Sequence, residues 1–257
     1  MINKTIYNIN NPLATIIIVH GIAEHSGRYE RLAKEFNKEG YDVITYDHLG
    51  HGKSDGKRGK IKSFFDHVNV LHDIVLEEKK RTNNKIFLMG HSMGGGIVNI
   101  YAVTYQDVDG IISSSAATKT PKNAVFMKVT GFWFLRWLGL STKMFDKHLA
   151  KDPNVLEKNK NDELMLKKIY VSLIGEMFIK GVKYLHKNID AFQTPVLYLH
   201  GTDDKIVDAS ASKEMYRKLR NVDKEIKIYE GEFHEMLNDY NRETVLEDVK
   251  RWLKKRV

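Results

Sequence analysis

Short apolar runs alternate along the chain with longer stretches in which apolar residues recur every three or four positions. The short runs are rich in β-branched residues and do not alternate with polar ones, which is typical of strands buried on both faces of a parallel sheet. They lie at 16–20, 41–47, 85–89, 108–113, 195–200 and 224–229. The helix-like stretches between them lie at 29–39, 68–81, 95–106, 210–219 and 244–254. This alternation predicts an α/β fold with a mostly parallel sheet flanked by helices.

One long segment interrupts this rhythm between two predicted core strands. From 117 to 190 the sequence has no clear strand signal, only helix-like and loop sequence such as AVFMKVTGFWFLRWLGL. Such an excursion predicts a helical insertion that lies over one end of the sheet as a cap. We therefore expect a single domain whose core consists of 1–116 and 191–257, with a cap, or lid, at 117–190.

The composition excludes several classes of chemistry. The 257 residues contain no cysteine, which excludes disulfides, thiolate catalysis and cysteine-ligated zinc. The formal net charge of +8 is spread along the chain, and no basic run interleaved with aromatic residues predicts a nucleic-acid partner. The apolar run near the N-terminus leads into a glycine loop, which favours a strand over a signal peptide. We expect a cytoplasmic protein, peripheral at a membrane if it contacts one.

Two pentapeptides, GKSDG around Ser54 and GHSMG around Ser92, fit the G-x-S-x-G pattern of a nucleophilic serine. Such a serine lies on a sharp turn with a strand directly before it and a helix directly after it. Ser92 follows the apolar run KIFLM and precedes a helix-compatible sequence, whereas the strand before Ser54 ends several residues too early. Ser92 is therefore the predicted nucleophile, and Ser54 is predicted to be a loop residue.

A serine nucleophile requires an oxyanion hole and a general base. The backbone N–H of Met93, at the start of the helix, is one predicted oxyanion donor, and the N–H of Ile22, in the loop HGIAEH, is the second. In the α/β-hydrolase order the acid and then the base follow the serine. Of eleven histidines, four follow the predicted nucleophile: His148, His186, His200 and His234. His234, after a predicted strand and before the last helix, is the base by elimination.

The acid that orients this base is expected in HGTDDKIVD, after the strand at 195–200. Three aspartates lie there. The spacing H-G-x-x-D-x-x-V favours Asp204, with Asp203 as the alternative, while Asp208 suits the cap of the following helix. Serine, aspartate and histidine then come in the required order, each after a strand.

The stretches HGIAEHSGRY, GHGKSDG, GHSMGGG, HGTDDKIV and YEGEFHEML resemble the monoacylglycerol lipase and lysophospholipase-like group of α/β-hydrolases. The resemblance implies an α/β-hydrolase fold, the triad Ser92, Asp204 and His234, and an oxyanion hole formed by Ile22 and Met93. The family commonly has glycine where Ala23 stands. About fifteen residues precede the first buried strand, so we expect an abbreviated N-terminal hairpin and fewer than eight strands.

The cap sequence is unusually rich in large apolar residues. We expect Phe132, Trp133 and Trp137 to contact the acyl part of a substrate. The same stretch predicts a transient contact with a membrane surface, with Lys128 and Arg136 near lipid headgroups. Packing of these side chains over the active site is the alternative, and the two interpretations are compatible.

The predicted activity is the hydrolysis of fatty-acid esters, most simply monoacylglycerols, without a cofactor or metal. Lysophospholipids, short-chain esters and, less favoured, peptides are alternative substrates. A non-catalytic ligand-binding protein on the same scaffold is an alternative of a different class. The histidines near the predicted sheet end lack metal-binding spacings. These histidines are His20, His25, His48 and His51.

Overall fold

A mostly parallel β-sheet forms the centre of the protein. The computed structural model describes residues 1–121, 132, 134–220 and 222–257. Its strands are β1 (Lys4–Tyr7), β2 (Ala14–Val19), β3 (Tyr41–Tyr46), β4 (Lys85–His91), β5 (Gly110–Ser114), β6 (Gly139–Ser141), β7 (Lys168–Tyr170), β8 (Val196–Gly201) and β9 (Lys224–Tyr229). The main sheet has the order β1-β3-β2-β4-β5-β8-β9. β1 is antiparallel to β3, and the other neighbours run parallel.

The predicted fold class is confirmed by this sheet. The described residues contribute seven strands to it, so the expectation of fewer than eight holds for this main sheet. A single antiparallel strand, β1, precedes β2 in the chain and pairs with β3 at the edge of the sheet, in place of a longer N-terminal hairpin.

Helices connect the strands and cover both faces of the sheet. They are α1 (Glu30–Lys38), α2 (Phe65–Arg81), α3 (Met93–Thr104), α4 (Pro153–Asn161), α5 (Val171–Gly175), α6 (Val182–Lys187), α7 (Ser210–Lys218) and α8 (Arg242–Lys254). Short 3-10 helices lie at Ser26–Tyr29, Thr142–Met144, Asp146–His148 and Ile189–Ala191. A π-helical segment, Glu176–Gly181, joins α5 to α6. Helix α2 begins earlier than predicted because Asp66 accepts hydrogen bonds from the N–H groups of Lys62 and Ser63.

Side chains on opposite faces of the sheet enter two different hydrophobic cores. Ile16 and Ile17 are neighbours in β2 and belong to opposite cores, because successive side chains of a strand point to opposite faces. Ile16 lies in the core that includes Phe36 of α1 and Trp252 of α8. Ile17 lies in the core that includes Leu71 of α2. Burial on both faces explains why the strands read as continuous apolar runs.

The expectation of no strand between 117 and 190 is wrong. β6 and β7 pair antiparallel in that segment and form a small second sheet. Each has only three residues, which is too short for a periodic pattern to reveal. The other described elements between β5 and β8 are helical.

The sheet topology brings the ends of β2 and β4 together. β3 lies on one side of β2 and β4 on the other, so the chain changes direction across the sheet between β2 and β4. In open α/β sheets the crevice beyond the carboxyl ends of the strands at such a switch point is the usual ligand site. The loop containing Ile22 follows β2, and Ser92 follows β4.

None of the described helices is long and apolar enough to cross a membrane.

We predict that Trp252→Ala lowers the free energy of unfolding by about 3–5 kcal/mol, measured by urea denaturation. Trp252 is almost fully buried, and its ring meets that of Phe87 edge to face with centroids 6.0 Å apart. The truncation would leave a large cavity beneath α8. Leu76→Ala, at a half-exposed position of α2, is the control and should cost less than about 1 kcal/mol. Equal losses in the two variants would contradict this account of the core.

Candidate active site

Ser92 occupies the sharp turn between β4 and α3. Its backbone has φ 54° and ψ −115°, a combination that a residue with a side chain rarely adopts. The Ser92 N–H donates to the Ser114 carbonyl at 2.9 Å, and the Ser92 carbonyl accepts from the N–H of Gly96 at 3.0 Å. The strand, turn and helix that the sequence predicted around this serine are therefore present.

The turn depends on glycine at position 94. A Cβ there would overlap the carbonyl oxygens of Val19 and His20 at the end of β2. A Cβ on Gly90 would overlap the carbonyl oxygen of Gly94 itself. Only glycine permits this approach of the β4–α3 turn to β2.

Ser54, the second serine of the pattern, is a structural residue of a loop. Its hydroxyl donates to the Asp47 carbonyl at 2.7 Å and accepts from the N–H of Asn3 at 2.9 Å. Gly52 and Gly56 on either side have positive φ angles, which suits a tight turn. The loop interpretation of this match agrees with these contacts.

Asp204 and His234 form a buried pair. The Nδ1 atom of His234 lies 2.6 Å from Oδ2 of Asp204. The other carboxylate oxygen, Oδ1, accepts hydrogen bonds from the N–H groups of Ile206 and Val207 at 2.8 and 2.9 Å. These bonds fix the orientation of the carboxylate toward the imidazole. His200 Nε2 also lies 3.2 Å from Oδ2 of Asp204.

The other two aspartates of this loop have different contacts. Asp203 is partly exposed, and its Oδ1 accepts from the Thr202 hydroxyl at 3.3 Å. Asp208 accepts from the N–H of Ser210 at 2.8 Å, at the start of α7, as a helix cap does. The pairing with His234 therefore involves Asp204.

His234 lies beside the turn that carries Ser92. The backbone carbonyl of His234 accepts a hydrogen bond from the Ser115 hydroxyl at 2.8 Å. The preceding residue, Ser114, accepts the hydrogen bond of the Ser92 N–H. The His234 ring centroid is 4.8 Å from that of His91, which directly precedes Ser92. The imidazole of the predicted base therefore lies against the residue that directly precedes the predicted nucleophile.

The charges around His234 favour its protonated form. Burial by itself would lower the pKa of His234, but the Asp204 carboxylate and its hydrogen bond raise it above 6.5, with Glu235 and Glu24 acting in the same direction. Burial would raise the pKa of Asp204, but His234 and His200 hold it far below its usual range. At neutral pH Asp204 is thus an anion that orients the imidazole and stabilises its positive charge.

The two predicted oxyanion donors lie on the turns after β2 and β4. Met93 is the first residue of α3, so its N–H has no partner within the helix. Ile22 lies in the loop after β2, and a Cβ on neighbouring Gly21 would be 3.2 Å from Cβ of Ser92. The loop therefore passes directly beside the predicted nucleophile.

Ala23 adopts a left-handed conformation. The family that this sequence resembles commonly has glycine at this position. The φ of Ala23 is +64°, which costs a residue with a side chain about 1–2 kcal/mol relative to a right-handed one. The Ala23 carbonyl accepts a hydrogen bond from the N–H of Leu166 at 2.9 Å, which helps to hold this shape. The substitution preserves the loop conformation that glycine would favour.

The three residues of the cap that were predicted to contact the substrate differ in their surroundings. Phe132 is partly buried and lies near Gly175, and the Lys180 ammonium is 5.2 Å from its ring centroid. Trp137 is 68% exposed. Trp133, like Lys128, lies outside the described residues.

Four histidine rings form a buried cluster in which neighbouring rings are tilted or edge-on to one another. His20 and His48 have ring centroids 4.1 Å apart, and His48 and His67 are 4.7 Å apart. His51 also contacts this group. Among the described residues no group of three or more His, Cys, Asp or Glu is arranged to hold a metal ion. His25 instead contacts Asp162 at 2.7 Å.

A second set of buried ionisable groups, which the sequence did not predict, lies at this site. Arg28 donates to Glu24 and to Glu235, both at 2.6 Å, and all three side chains are nearly inaccessible to solvent. Glu24 belongs to the loop 20–25 after β2, called the oxyanion loop because it contains the predicted donor Ile22, and Glu235 follows His234. The one local signal was the spacing of Glu24 and Arg28, four positions apart, which on a helix suggests only an ordinary ion pair.

Comparisons with known proteins point to one family. The family model Hydrolase_4, described as serine aminopeptidase, S33, matches residues 10–241. A monoacylglycerol lipase of Mycolicibacterium smegmatis is 28% identical over 251 residues, which is 95% of this chain and 89% of that protein. Phospholipase YtpA of Bacillus subtilis is 30% identical over 93% of this chain and 94% of its own. The crystal structure of Paleococcus ferrophilus monoacylglycerol lipase is 31% identical, with a TM-score of 0.89 and full coverage of both chains.

We predict that kcat/KM falls at low pH with a midpoint above 6.5, because the reaction needs neutral His234 and its pKa is raised. Above this midpoint Asp204→Asn should lower kcat by about 10⁴-fold, the loss seen when a triad aspartate is neutralised in another serine hydrolase. Initial rates on p-nitrophenyl butyrate across a pH series measure both.

Asp203→Asn is the control for this experiment, because its side chain does not contact His234. It should retain activity within about threefold. A midpoint below 6.5 in the unmodified protein, or an equal loss in the two variants, would contradict the assigned pair.

Proposed function

Because the chain belongs to this serine aminopeptidase S33 family of hydrolases, we propose that it cleaves monoacylglycerols into glycerol and free fatty acid through Ser92, His234 and Asp204. The protein is a carboxylic ester hydrolase with an α/β-hydrolase fold. The observation that carries the proposal is the buried Asp204–His234 contact of 2.6 Å beside the strained turn at Ser92. Such a constellation suits acyl transfer to a serine.

Acylation begins when His234 takes the proton of the Ser92 hydroxyl as the oxygen attacks the ester carbonyl. Negative charge develops on the carbonyl oxygen, and the N–H groups of Ile22 and Met93 donate hydrogen bonds to it. Asp204 holds the imidazole in orientation and stabilises its positive charge. His234 then returns the proton to the leaving glycerol oxygen, and Ser92 carries the acyl group.

Deacylation repeats these steps with water. His234 takes a proton from the water as its oxygen attacks the acyl carbonyl, and the same N–H groups stabilise the second oxyanion. Collapse of this intermediate transfers the proton to the Ser92 oxygen and releases the fatty acid. No cofactor or metal is required by this chemistry.

Two features support a small lipid ester as the substrate. The similar enzymes described above include monoacylglycerol lipases of two organisms. The segment proposed as a cap, 117–190, also contacts both loops of the site. Leu166 donates its N–H to the Ala23 carbonyl at 2.9 Å, and the Leu149 carbonyl accepts from the N–H of Glu235 at 2.8 Å. We propose that Phe132, Trp133 and Trp137 of this cap contact the acyl chain.

A lysophospholipid is the second candidate substrate. An open surface pocket of about 310 Å³ is lined by Arg58, Lys167 and Lys168, together with Leu166, whose N–H donates to the Ala23 carbonyl of the oxyanion loop. Cationic side chains at that position would attract the phosphate of a lysophospholipid headgroup. One similar protein is a phospholipase.

We also propose that the cap makes transient contact with a membrane surface. Phe134 is 80% exposed and Trp137 is 68% exposed, and Leu135 and Leu138 between and beside them are also exposed. The exposed lysine Lys168 lies against this turn, since its side chain would meet a Cβ on Gly139. An apolar patch next to a cationic side chain suits the interface of an anionic bilayer.

We predict that the protein hydrolyses monoacylglycerols, with turnover highest for medium or long acyl chains, and that Ser92→Ala abolishes it. Release of fatty acid is measured for a series of chain lengths, with lysophosphatidylcholine and an aminoacyl p-nitroanilide as competing substrates. Labelling by a fluorophosphonate, present in the unmodified protein and absent in Ser92→Ala, controls for an active nucleophile.

The outcomes of this experiment separate the alternatives. Preference for lysophosphatidylcholine would favour the second candidate, and activity on only the shortest esters would indicate a general esterase. Cleavage of the anilide alone would indicate a peptidase. Absence of both turnover and labelling would indicate a non-catalytic ligand-binding protein.

For the membrane contact we predict that the double variant Phe134→Ala, Trp137→Ala loses flotation with vesicles containing phosphatidylglycerol. Loss of two interfacial aromatic rings should weaken binding by roughly tenfold or more. Tyr240→Ala removes an aromatic side chain that is 66% exposed elsewhere and is the control. Absence of vesicle binding by the unmodified protein would overturn the proposal.

A further inference from the structure

Five side chains with polar groups pack into one buried cluster behind the proposed catalytic residues. Arg28 donates Nη1 to Oε2 of Glu24 and Nη2 to Oε2 of Glu235, each at 2.6 Å. The Tyr29 hydroxyl donates to the same oxygen of Glu24 at 3.1 Å. The other oxygen of Glu24, Oε1, lies 3.7 Å from Nε2 of His91. All five residues are buried or nearly so, which makes the cluster a feature of the protein interior.

Each carboxylate of the cluster belongs to a different loop of the site. Glu24 lies in the loop that contains Ile22, and a Cβ on Gly21 would meet both Oε1 of Glu24 and Cβ of Ser92. Glu235 directly follows His234 in the chain. Arg28 is therefore the link between the oxyanion loop and the loop of the general base.

We propose that Glu24, Arg28 and Glu235 are positioning residues for ester hydrolysis: the two-armed Arg28 bridge holds the oxyanion loop in register with His234, and the carboxylates stabilise the imidazolium. The proposal rests on the catalytic roles proposed above for Ser92 and His234. It concerns groups that act through these residues and do not contact the substrate.

The Arg28 bridge controls the distance between the oxyanion loop and the loop of His234. An oxyanion hole works only when its donors lie at the position where the negative charge develops, and displacements of about 1 Å cost large factors in rate. Ile22 and His234 are on loops that are far apart in sequence. The N–H donors of a planar guanidinium have a rigid arrangement, so they set the distance and the angle between two carboxylates. A lysine ammonium is a point charge on a flexible chain and does not set either.

The net charge of Glu24, Arg28 and Glu235 also affects His234. Two carboxyl groups face one guanidinium, so the cluster carries one excess negative charge when both are ionised. Arg28 lowers the pKa of Glu235 against the effect of burial, whereas burial raises the pKa of Glu24. The negative charges of Glu235 and Glu24 lie close enough to His234 to raise the pKa of its imidazole, in addition to the effect of Asp204.

The carboxylates around His234 agree in sign with this role, since Asp204, Glu235 and Glu24 all raise its pKa. Asp204 approaches from the β8–α7 loop, with His200 behind it, and Glu24 and Arg28 lie on the side of the oxyanion loop. His91, the nearest other imidazole, is kept neutral because burial and His234 lower its pKa to about 3. Its neutral ring separates His234 from Glu24 without adding a positive charge.

Stability alone is a weak explanation for this cluster. A buried ion pair loses its hydration on folding, and replacement by apolar side chains of similar size is often neutral or stabilising. A cluster that serves only stability would affect melting temperature, and the pH dependence of catalysis would be unchanged.

The experiment compares Glu24→Gln, Glu235→Gln and Arg28→Lys in the full chain with p-nitrophenyl butyrate as substrate. Both glutamine variants keep the shape of the side chain and remove the same charge from opposite loops. Glu30→Gln, at an exposed residue of α1 paired with Lys34, is the matched control. Melting temperature, kcat, KM and the pH profile of kcat/KM are measured for each variant.

We expect the acid midpoint of kcat/KM to fall by about half a pH unit or more in each glutamine variant, because a nearby negative charge is lost. Arg28→Lys should lower kcat by roughly tenfold or more and change KM little, because it keeps the charge and loses the bridge. The Glu30→Gln control should match the unmodified protein in all four measurements.

An unchanged midpoint in a folded glutamine variant, or a normal kcat in Arg28→Lys, would overturn the proposal. The two glutamine variants test the charge independently, so one folded variant is sufficient. Labelling of Ser92 by a fluorophosphonate separates this outcome from failure of the proposed function. If the unmodified protein is neither labelled nor active, the catalytic assignment fails, and the positioning proposal fails with it.

Discussion

The turn at Ser92 depends on one close approach of backbone to backbone. The start of α3 packs so tightly against the end of β2 that a Cβ on Gly94 would overlap the Val19 carbonyl. This contact fixes where α3 begins, and therefore where the N–H of Met93 points and where the Ser92 side chain leaves the sheet. It also sets the oxyanion loop after β2 beside the serine. The strained φ of Ser92 is maintained by packing that any larger residue at 94 would disrupt.

Electrostatic surroundings divide the buried histidines into two kinds. The rings of His20 and His67 both contact that of His48, and burial lowers the pKa values of all three, so they remain neutral. His234 is equally buried, but the Asp204 carboxylate raises its pKa. The difference lies in the neighbours, since desolvation acts on every buried imidazole in the same direction. His234, which we propose becomes positively charged as the base of the reaction, lies close to anions that favour this charge.

Much of the core and of the candidate site followed from local patterns. Strands buried on both faces produce apolar runs, and the glycines of GHSMG together with the flanking strand and helix single out Ser92 over Ser54. The two strands β6 and β7 escaped prediction because three residues carry no period. The cap prediction for 117–190 and the contacts of Trp133 remain proposals.

The sequence by itself determined the α/β architecture and the turn at Ser92, because both depend on residues that are neighbours in the chain. It also placed the candidate acids and the candidate base after Ser92 in the order of a serine hydrolase, and it left Asp203 open beside Asp204. Only the tertiary structure decided that Asp204 and not Asp203 meets His234, since both lie in one short loop and differ in the direction of their side chains. The same holds for the bridge from Arg28 to Glu235, which joins positions 207 residues apart. Contacts between distant loops depend on how the sheet brings strand ends together, and no local pattern encodes that.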